Sequence, residues 1–576
     1  MTDQDYDGSH IRGLLLNVFH ELWHSLFKIP GFLNFMSTPI VKASKSSKTL
    51  SFYTQYEYEQ WKVENTGWKI KYYKGLGTST AQEAKEYFKT PNIIGFQYSS
   101  KSDDSLQLAF NKSMADNRKT WLQTHKESDI LNPIKEVLYE DFINKDLIHF
   151  SNYNLERSIP NIMDGLKTSQ RKILYSAFKR NLKSEIRVAQ FAGYVSEHSG
   201  YHHGEASLND TIIGMAQDFV GSQNIPWFVP QGQFGTRLQG GKDAASPRYI
   251  HTFMQPYLPS LIPSDDFGFM KYRDDDGLKV EPEWYAPIIP MLLINGARGI
   301  GTGYSTFIPQ CNPHKIIEGL KSWLKSEITL DKISLEPWYR GFQGTIEKLE
   351  IKGSFKKDKD GITITELPIE TWTSDYKEWL DSRIQEGQIK DYEDTSTDTQ
   401  VLFKIKCSDS SIIEKSLSYK LKLTNMHAFN SENTIQKYES LFEILEEFCL
   451  VRKDLYKKRK VFLLSHLKEK LPYHENVVRF ITQQCFDMPI PDLKRKTIEE
   501  CTKLLEQQKF VKISDSYDYL LDLPIKSLTS IHAQKHRDEL DLLKKKISEL
   551  EKKTPETLWL DDLESFSIKY SNGGKA

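Results

Sequence analysis

The sequence predicts a multidomain chain of α/β and α+β character, and three observations carry that reading. Apolar residues alternate between strand and helix periodicity over residues 11–88. A glycine-rich, basic stretch ending in tyrosine lies among mixed helix and strand patterns. Two long segments toward the C-terminus repeat apolar residues at spacings of three and four. With 576 residues there is enough chain for several cores, and 39% hydrophobic with 27% charged residues reads as soluble and globular. Net charge is −1, so any surface for nucleic acid must be a local basic patch balanced by acidic regions elsewhere.

The chain opens with Asp3, Asp5 and Asp7 at alternate positions, followed by Gly8. Three such carboxylates make a hard-oxygen cluster suited to a divalent cation, Mg²⁺ where phosphates are the substrate. An EF-hand loop counted from Asp3 needs glutamate at its twelfth position; Leu14 stands there, which excludes it. An apolar-rich helix follows over 11–27, then strands over 35–41 and 50–53, a helix over 54–64, a strand over 68–73 and a helix over 80–88. The turn before that last helix presents Lys74. Residues 90–145 are polar with helical patches, among them the segment bearing Arg118 and Lys119.

From about residue 146 the character changes. Lys167 leads into a helix carrying Arg171, Lys172, Lys179, Arg180 and Lys183, with Ile173, Leu174, Ala177 and Phe178 on an apolar side; a further helix covers 209–219. Basic residues along one side of an amphipathic helix fit a helix-turn-helix docked on phosphates. Residues 304–425 alternate strand-like runs (344–351, 362–367) with a helix over 372–386. Helices over about 432–471 and 530–553 enclose an insertion and suit an antiparallel arm with a tip that includes 517–524. Residues 571–576 form a short polar tail. Cys311, Cys407, Cys449, Cys485 and Cys501 show no CxxC spacing, which argues against a zinc site or a disulfide framework. No signal-peptide pattern and no bilayer-length apolar run occurs, so an intracellular protein without a membrane partner is expected.

The chemistry is concentrated in Gln233-Phe-Gly-Thr-Arg237 through Gly240, Gly241, Lys242, Arg248 and Tyr249. The three glycines permit sharp turns and close approach to another molecule, while Arg237, Lys242 and Arg248 put positive charge around the Tyr249 phenol. A phenol with a pKa of about 10 is a poor nucleophile, so attack on a phosphodiester requires help with the charge that builds on phosphoryl oxygens. Arg248 is placed to give it.

Together with Tyr201-His202-His203-Gly-Glu205, this stretch resembles the catalytic loop of type IIA DNA topoisomerases, and the motifs occur in that family's order along nearly the whole chain. The resemblance implies that Tyr249 forms a 5′-phosphotyrosine assisted by Arg248. It implies that Asp3 and Asp5 hold Mg²⁺, with Mn²⁺ or Ca²⁺ as substitutes, and that Asp7 supports them. It further implies that Arg118, Lys119, Lys167, Tyr201 and His202 touch double-stranded DNA, and that Ile300, in Gly299-Ile-Gly-Thr-Gly303, wedges between base steps. The corresponding domains are a partial TOPRIM domain (1–92), a linker (93–145), a winged-helix domain with the tyrosine (146–255), a tower (256–428), a coiled-coil arm with the C-gate (429–553) and a tail (554–576). A homodimer is expected.

The sequence departs from the family at its start, where the strand bearing a further acidic residue of the metal site has no counterpart. No GxxxxGK[ST] occurs, and ATP belongs to the complete enzyme with no site here. The chain is therefore expected to be a C-terminal piece, completed by upstream sequence or by a separate N-terminal ATPase polypeptide. It would act in the nucleus if cellular and eukaryotic, or in host cytoplasm or nucleus if viral. Two other readings are a TOPRIM-type nuclease and a catalytically silent DNA-bending scaffold.

Overall fold

Asp5 begins the first helix by accepting the Gly8 N–H on its carboxylate at 2.7 Å, and the Tyr6–Leu22 helix runs from there. In the computed structural model, which describes residues 2–73, 76–126, 128–131, 135–275, 277–359, 361–485, 496–524 and 527–573, that helix shares a core with a three-stranded sheet. Asn34–Ser37 pairs antiparallel with Asn92–Gln97, and Glu136–Leu138 joins in parallel. The strand expected over 35–41 is two strands, because Pro39 has no N–H to give a ladder. Its second half, Val41–Lys45, joins Lys48–Phe52 and Lys69–Tyr72 in a separate sheet over Tyr58. Lys74 lies outside the described residues.

Residues 93–145 are not a linker. They supply Phe96, Leu106, Trp121, Tyr139 and Phe142 to one core with Leu16, Phe27 and Phe35. Their overall polarity conceals this because each element buries only one stripe.

Three helices, Thr168–Arg180, Val188–Ser199 and Glu205–Ala216, form the next unit, closed by a short ribbon of Ile186–Arg187 with His251–Thr252. The basic run on the first helix divides by environment. Arg171 is buried on the fully buried Asp164, and Lys172 Nζ donates to Glu281 at 2.8 Å and to the Ser199 carbonyl, so neither belongs to an open basic face. The region expected as the tower carries a four-stranded antiparallel sheet in the order Ser354–Asp358, Gly361–Glu366, Phe403–Lys406, Asp391–Asp394, backed by the Thr373–Gln385 helix. Ile362, Ile364, Tyr376, Leu380 and Phe403 fill its core.

The arm begins later than expected. Residues Ile435–Lys437 pair as a strand with His427–Phe429, and the long helix is Leu441–Cys485. Ser530–Lys552 runs back along it, as the bridges Lys468–Glu551 and Lys544–Glu475 show by their opposite order. Val477, Phe480, Leu505, Phe510, Tyr517 and Leu520 form a small core at its far end. The segment expected as a tail is mostly the Pro555–Gly573 helix, whose Trp559, Leu563 and Phe566 are buried in the largest core. The Trp559 indole donates to the Ile288 carbonyl at 2.8 Å. Among the described residues no helix is long and apolar enough to cross a membrane.

The root of the arm is pinned by charge. Asp266 accepts from Arg452 Nη1 at 2.8 Å and from Arg459 Nε and Nη2 at 2.6 Å, with all three side chains buried. Burial works to raise the Asp266 carboxyl, and Arg452 and Arg459 override it, holding it below the usual carboxylate range. Asp266→Ala leaves the buried Arg452 guanidinium without its carboxylate and Arg459 with Asp562 alone, and is expected to destabilise the chain by about 3–5 kcal/mol, read from urea unfolding followed by the fluorescence of Trp559 and its neighbours. Because the folded carboxyl is depressed, this contribution is present above the unfolded pKa of about 3.9 and disappears as pH falls through the lower folded value. An Asp266→Ala midpoint equal to the parent's would remove the network from the account of the fold.

Candidate active site and nucleic-acid interface

Tyr249 sits at the end of a turn in which its N–H donates to the Ser246 carbonyl at 2.9 Å. The Ala189 N–H donates to the Pro247 carbonyl, and the Val188 N–H to the Ile250 carbonyl, both at 3.1 Å, so the start of the Val188–Ser199 helix holds the turn from both sides. Ile250 is buried while Arg248 and Tyr249 are exposed, the Tyr249 side chain at 78%. A fixed backbone thus carries an outward phenol with an outward guanidinium next to it.

The rest of the stretch behaves differently from the sequence expectation. Arg237 is buried and forms an ion pair with Glu366 on the Gly361–Glu366 strand of the four-stranded sheet, so it does not add charge around the phenol. Glu366 is also occupied by the Gln343 N–H at 3.1 Å. The glycines serve the chain's own packing. A Cβ at Gly235, where φ is +93°, would lie 2.5 Å from the Gly241 backbone, and one at Gly240 would overlap Trp372. The Ser374 N–H donates to the Leu238 carbonyl at 2.9 Å, completing the seam between loop and tower.

Ile300 lies on the Ala297–Gly301 strand, paired with Ser305 of Tyr304–Ile308, and is 82% exposed. Its flanking glycines allow the hairpin to lie directly on the Ile148–Ser158 helix. A Cβ at Gly299 would overlap the Ser158 carbonyl, and one at Gly301 would meet Leu155 at 2.8 Å. The Thr302 N–H donates to Asn154 Oδ1 at 3.0 Å. Around this hairpin gather three cations singled out in the sequence, each already engaged. Lys167 Nζ donates to the Arg298 carbonyl at 2.8 Å, and burial lowers its pKa. Lys119 pairs with Asp116 at 2.9 Å and lies 5.9 Å from the centre of the Tyr304 ring. Arg118 spends its guanidinium on the Leu108 and Asn111 carbonyls at 2.9 and 2.7 Å, closing the end of the Ser102–Phe110 helix, and burial lowers its pKa too. Arg118 is thus a helix cap here, whatever else it meets.

Tyr201 is only 7% exposed and packs in the core, with part of its surface lining a cavity beside Arg157, His202 and His203. His202 is the outward residue of that pair, 3.0 Å from Asp275.

At the N-terminus, Gly8 is required because a side chain there would overlap the Asp3 carbonyl. Asp3 and Asp5 are exposed at the start of the helix, two hard carboxylates that fit a small divalent cation retaining water ligands. Asp7 does not complete that set. It receives Arg157 Nη2 at 2.9 Å and lies 3.6 Å from His203 Nδ1, and the oxygens of Asp3, Asp5 and Asp7 do not all come within 4.8 Å of one another. His203 in turn has the Tyr153 hydroxyl 2.6 Å from its Nε2. Burial and then Arg157 lower the His203 pKa, and burial pushes the Tyr153 phenol up to about 12. Arg157 was not legible as a site residue, since its partner Asp7 is 150 positions away.

The chain matches two known sequence families: the A subunit of DNA gyrase/topoisomerase IV, over residues 157–564, and the C-terminal associated domain of TOPRIM, over residues 36–155. The second match runs across the boundary expected at residue 92, as the continuous core does. DNA topoisomerase 2 of Plasmodium falciparum is 43% identical over 98% of the chain and 44% of its own length. That of Arabidopsis thaliana is 41% identical over 98% and 43%, and rat DNA topoisomerase 2-alpha 40% over 98% and 42%. The chain therefore spans less than half the length of these relatives. The solved structure of the Plasmodium falciparum topoisomerase II DNA-binding, cleavage and re-ligation domain superposes with a TM-score of 0.81 at 41% identity, covering all of this chain and 84% of that one. With the tyrosine turn, the isoleucine hairpin and the acidic N-terminus in place, these matches establish that the chain belongs to the type IIA DNA topoisomerase family.

Proposed function

We propose that this chain is the breakage-reunion core of a type IIA topoisomerase, cutting and resealing double-stranded DNA through Tyr249. The observation that carries the reading is the 78% exposed phenol beside Arg248 on a turn whose backbone is held by the Val188–Ser199 helix and the tower seam. The Tyr249 oxygen attacks a backbone phosphorus, forming a 5′-phosphotyrosine. The phenolic proton is lost as the departing 3′ oxygen gains one. Arg248 binds the non-bridging oxygens, whose charge rises toward the transition state. Because the phosphotyrosine retains the bond energy, resealing is attack by the same 3′ oxygen in reverse. Asp3 and Asp5 are the residues that would hold a divalent cation, Mg²⁺ or in its place Mn²⁺ or Ca²⁺, which supplies positive charge at the leaving oxygen. Asp7 acts through Arg157 and His203, tying the acidic end to the helical unit.

Ile300 enters a base step and kinks the duplex, with Lys167, Lys119 and His202 as the cationic or polar groups nearest the DNA path. The arm brings two copies together as a homodimer that stays closed while a second duplex passes through the break. ATP is used by a region outside these residues, upstream in the same polypeptide or on a separate polypeptide, which accords with relatives more than twice as long. Their cellular eukaryotic sources support action in the nucleus.

Three experiments test this reading on the chain supplied with Mg²⁺ and, where required, an ATPase region of the family. Tyr249→Phe should abolish the denaturant-resistant protein–DNA adduct together with cleavage; cleavage that survives, leaving free 5′ phosphates, would favour a nuclease instead. Gly235→Ala should lower adduct formation by about 100-fold through displacement of the turn while DNA affinity holds, as measured by adduct trapping and fluorescence anisotropy. Ile300→Ala should reduce DNA bending, read by energy transfer between dyes at the duplex ends, and an unchanged bend would remove the wedge from the mechanism.

A further inference from the structure

Away from the tyrosine and the acidic N-terminus, three side chains from separate elements converge. His20 lies in the last turn of the Tyr6–Leu22 helix, His24 opens His24–Phe27, and Asp103 stands in the first turn of Ser102–Phe110. Nε2 of His20 is 3.3 Å and Nε2 of His24 3.7 Å from one atom, Asp103 Oδ1, and the three donor atoms all lie within 4.8 Å of one another. That oxygen is shielded from water, yet it accepts no hydrogen bond among the described residues. Both imidazoles approach it at contact distance without aiming an N–H at it.

The surrounding contacts explain which atoms face inward. Nδ1 of His20 is 3.2 Å from Glu21 Oε1, and the other Asp103 oxygen accepts the Tyr98 hydroxyl at 2.6 Å. When the His20 proton sits on Nδ1 toward Glu21, its Nε2 is an unprotonated acceptor 3.3 Å from a carboxylate oxygen. Two such atoms repel unless positive charge lies between them. Four bonds of about 2.0 Å in tetrahedral array separate neighbouring ligand atoms by about 3.3 Å, which is the spacing of His20 and Asp103. A carboxylate on the far nitrogen of a ligating histidine, and a hydrogen bond to the second oxygen of a ligating carboxylate, are the supports metal ligands ordinarily have.

We propose that His20, His24 and Asp103 bind a borderline divalent transition-metal ion of the Zn²⁺ class, with Glu21 and Tyr98 as positioning residues and water in the fourth place. Two imidazoles and one carboxylate form a softer set than Asp3 and Asp5 and discriminate against Mg²⁺. His20 is buried, its ring edge-on to Phe27 at 5.3 Å, while the half-exposed His24 leaves a path for the ion. The bound ion clamps the far end of the helix that starts at Asp5 to the Ser102–Phe110 helix.

The test is Co²⁺ titration of the full chain followed by visible absorption, with Zn²⁺ as competitor. It is run in a His536→Ala background, because His474, His536 and Glu539 on the arm also bring three donor atoms within 4.8 Å of one another. The expected result is one Co²⁺ per chain with the intense bands of a four-coordinate site, displaced by Zn²⁺. His24→Ala should weaken binding by at least about 100-fold, and Glu21→Gln by about 10-fold while the circular dichroism spectrum is kept. A spectrum indifferent to His24→Ala, or none at several-fold excess of Co²⁺, would overturn the proposal.

Discussion

A guanidinium removed from water must be met by a carboxylate, and this chain uses that requirement to fix segments far apart in sequence. Arg237 meets Glu366 across 129 positions, and Arg452 meets Asp266 across 186. The first pair fastens the tyrosine-bearing stretch to the tower sheet, and the second fastens the arm to the central core. Loss of either carboxylate strands a buried charge, so each pair specifies one arrangement of its two segments. The exposed chemistry of Arg248 and Tyr249 depends on this concealed pairing, because only a backbone that cannot drift keeps a solvent-facing phenol in one place.

This division of labour also explains what could be read from the sequence. The order of helices and strands, including those over 344–386, the antiparallel return of the two long helices and the outward placement of Tyr249 and Ile300 follow from periodicity, glycine context and motif. Charge alone does not reveal whether an arginine faces water. Arg237 and Arg248 stand in one stretch, yet one is buried against Glu366 and the other exposed. Arg118 and Lys167 were legible as basic residues near functional motifs, but their carbonyl partners, at Leu108, Asn111 and Arg298, follow from packing that periodicity does not encode. The final helix escaped for a similar reason: Trp559, Leu563 and Phe566 form one narrow apolar stripe facing the core on a helix whose other positions are largely polar or charged.

The acidic N-terminus illustrates how one motif can divide its residues between two tasks. Asp3 and Asp5 remain outward, while Asp7 turns toward Arg157 and His203 and so joins the first unit to the helical one. Alternation along the chain made the three equivalent in sequence, but the start of a helix at Tyr6 breaks that equivalence, since successive residues then point in directions separated by about 100°.

The seating of the isoleucine hairpin has a mechanical consequence. With Gly299 and Gly301 lying flush on the Ile148–Ser158 helix, and their cross-strand partners Thr306 and Tyr304 buried on the same face, the hairpin rests directly on that rod, and a load on Ile300 passes into it. The same rod carries Arg157, whose grip on Asp7 lies one turn from Asp3 and Asp5. In the proposed role, force from a bent duplex at Ile300 would pass through this single helix to the neighbourhood of the carboxylates.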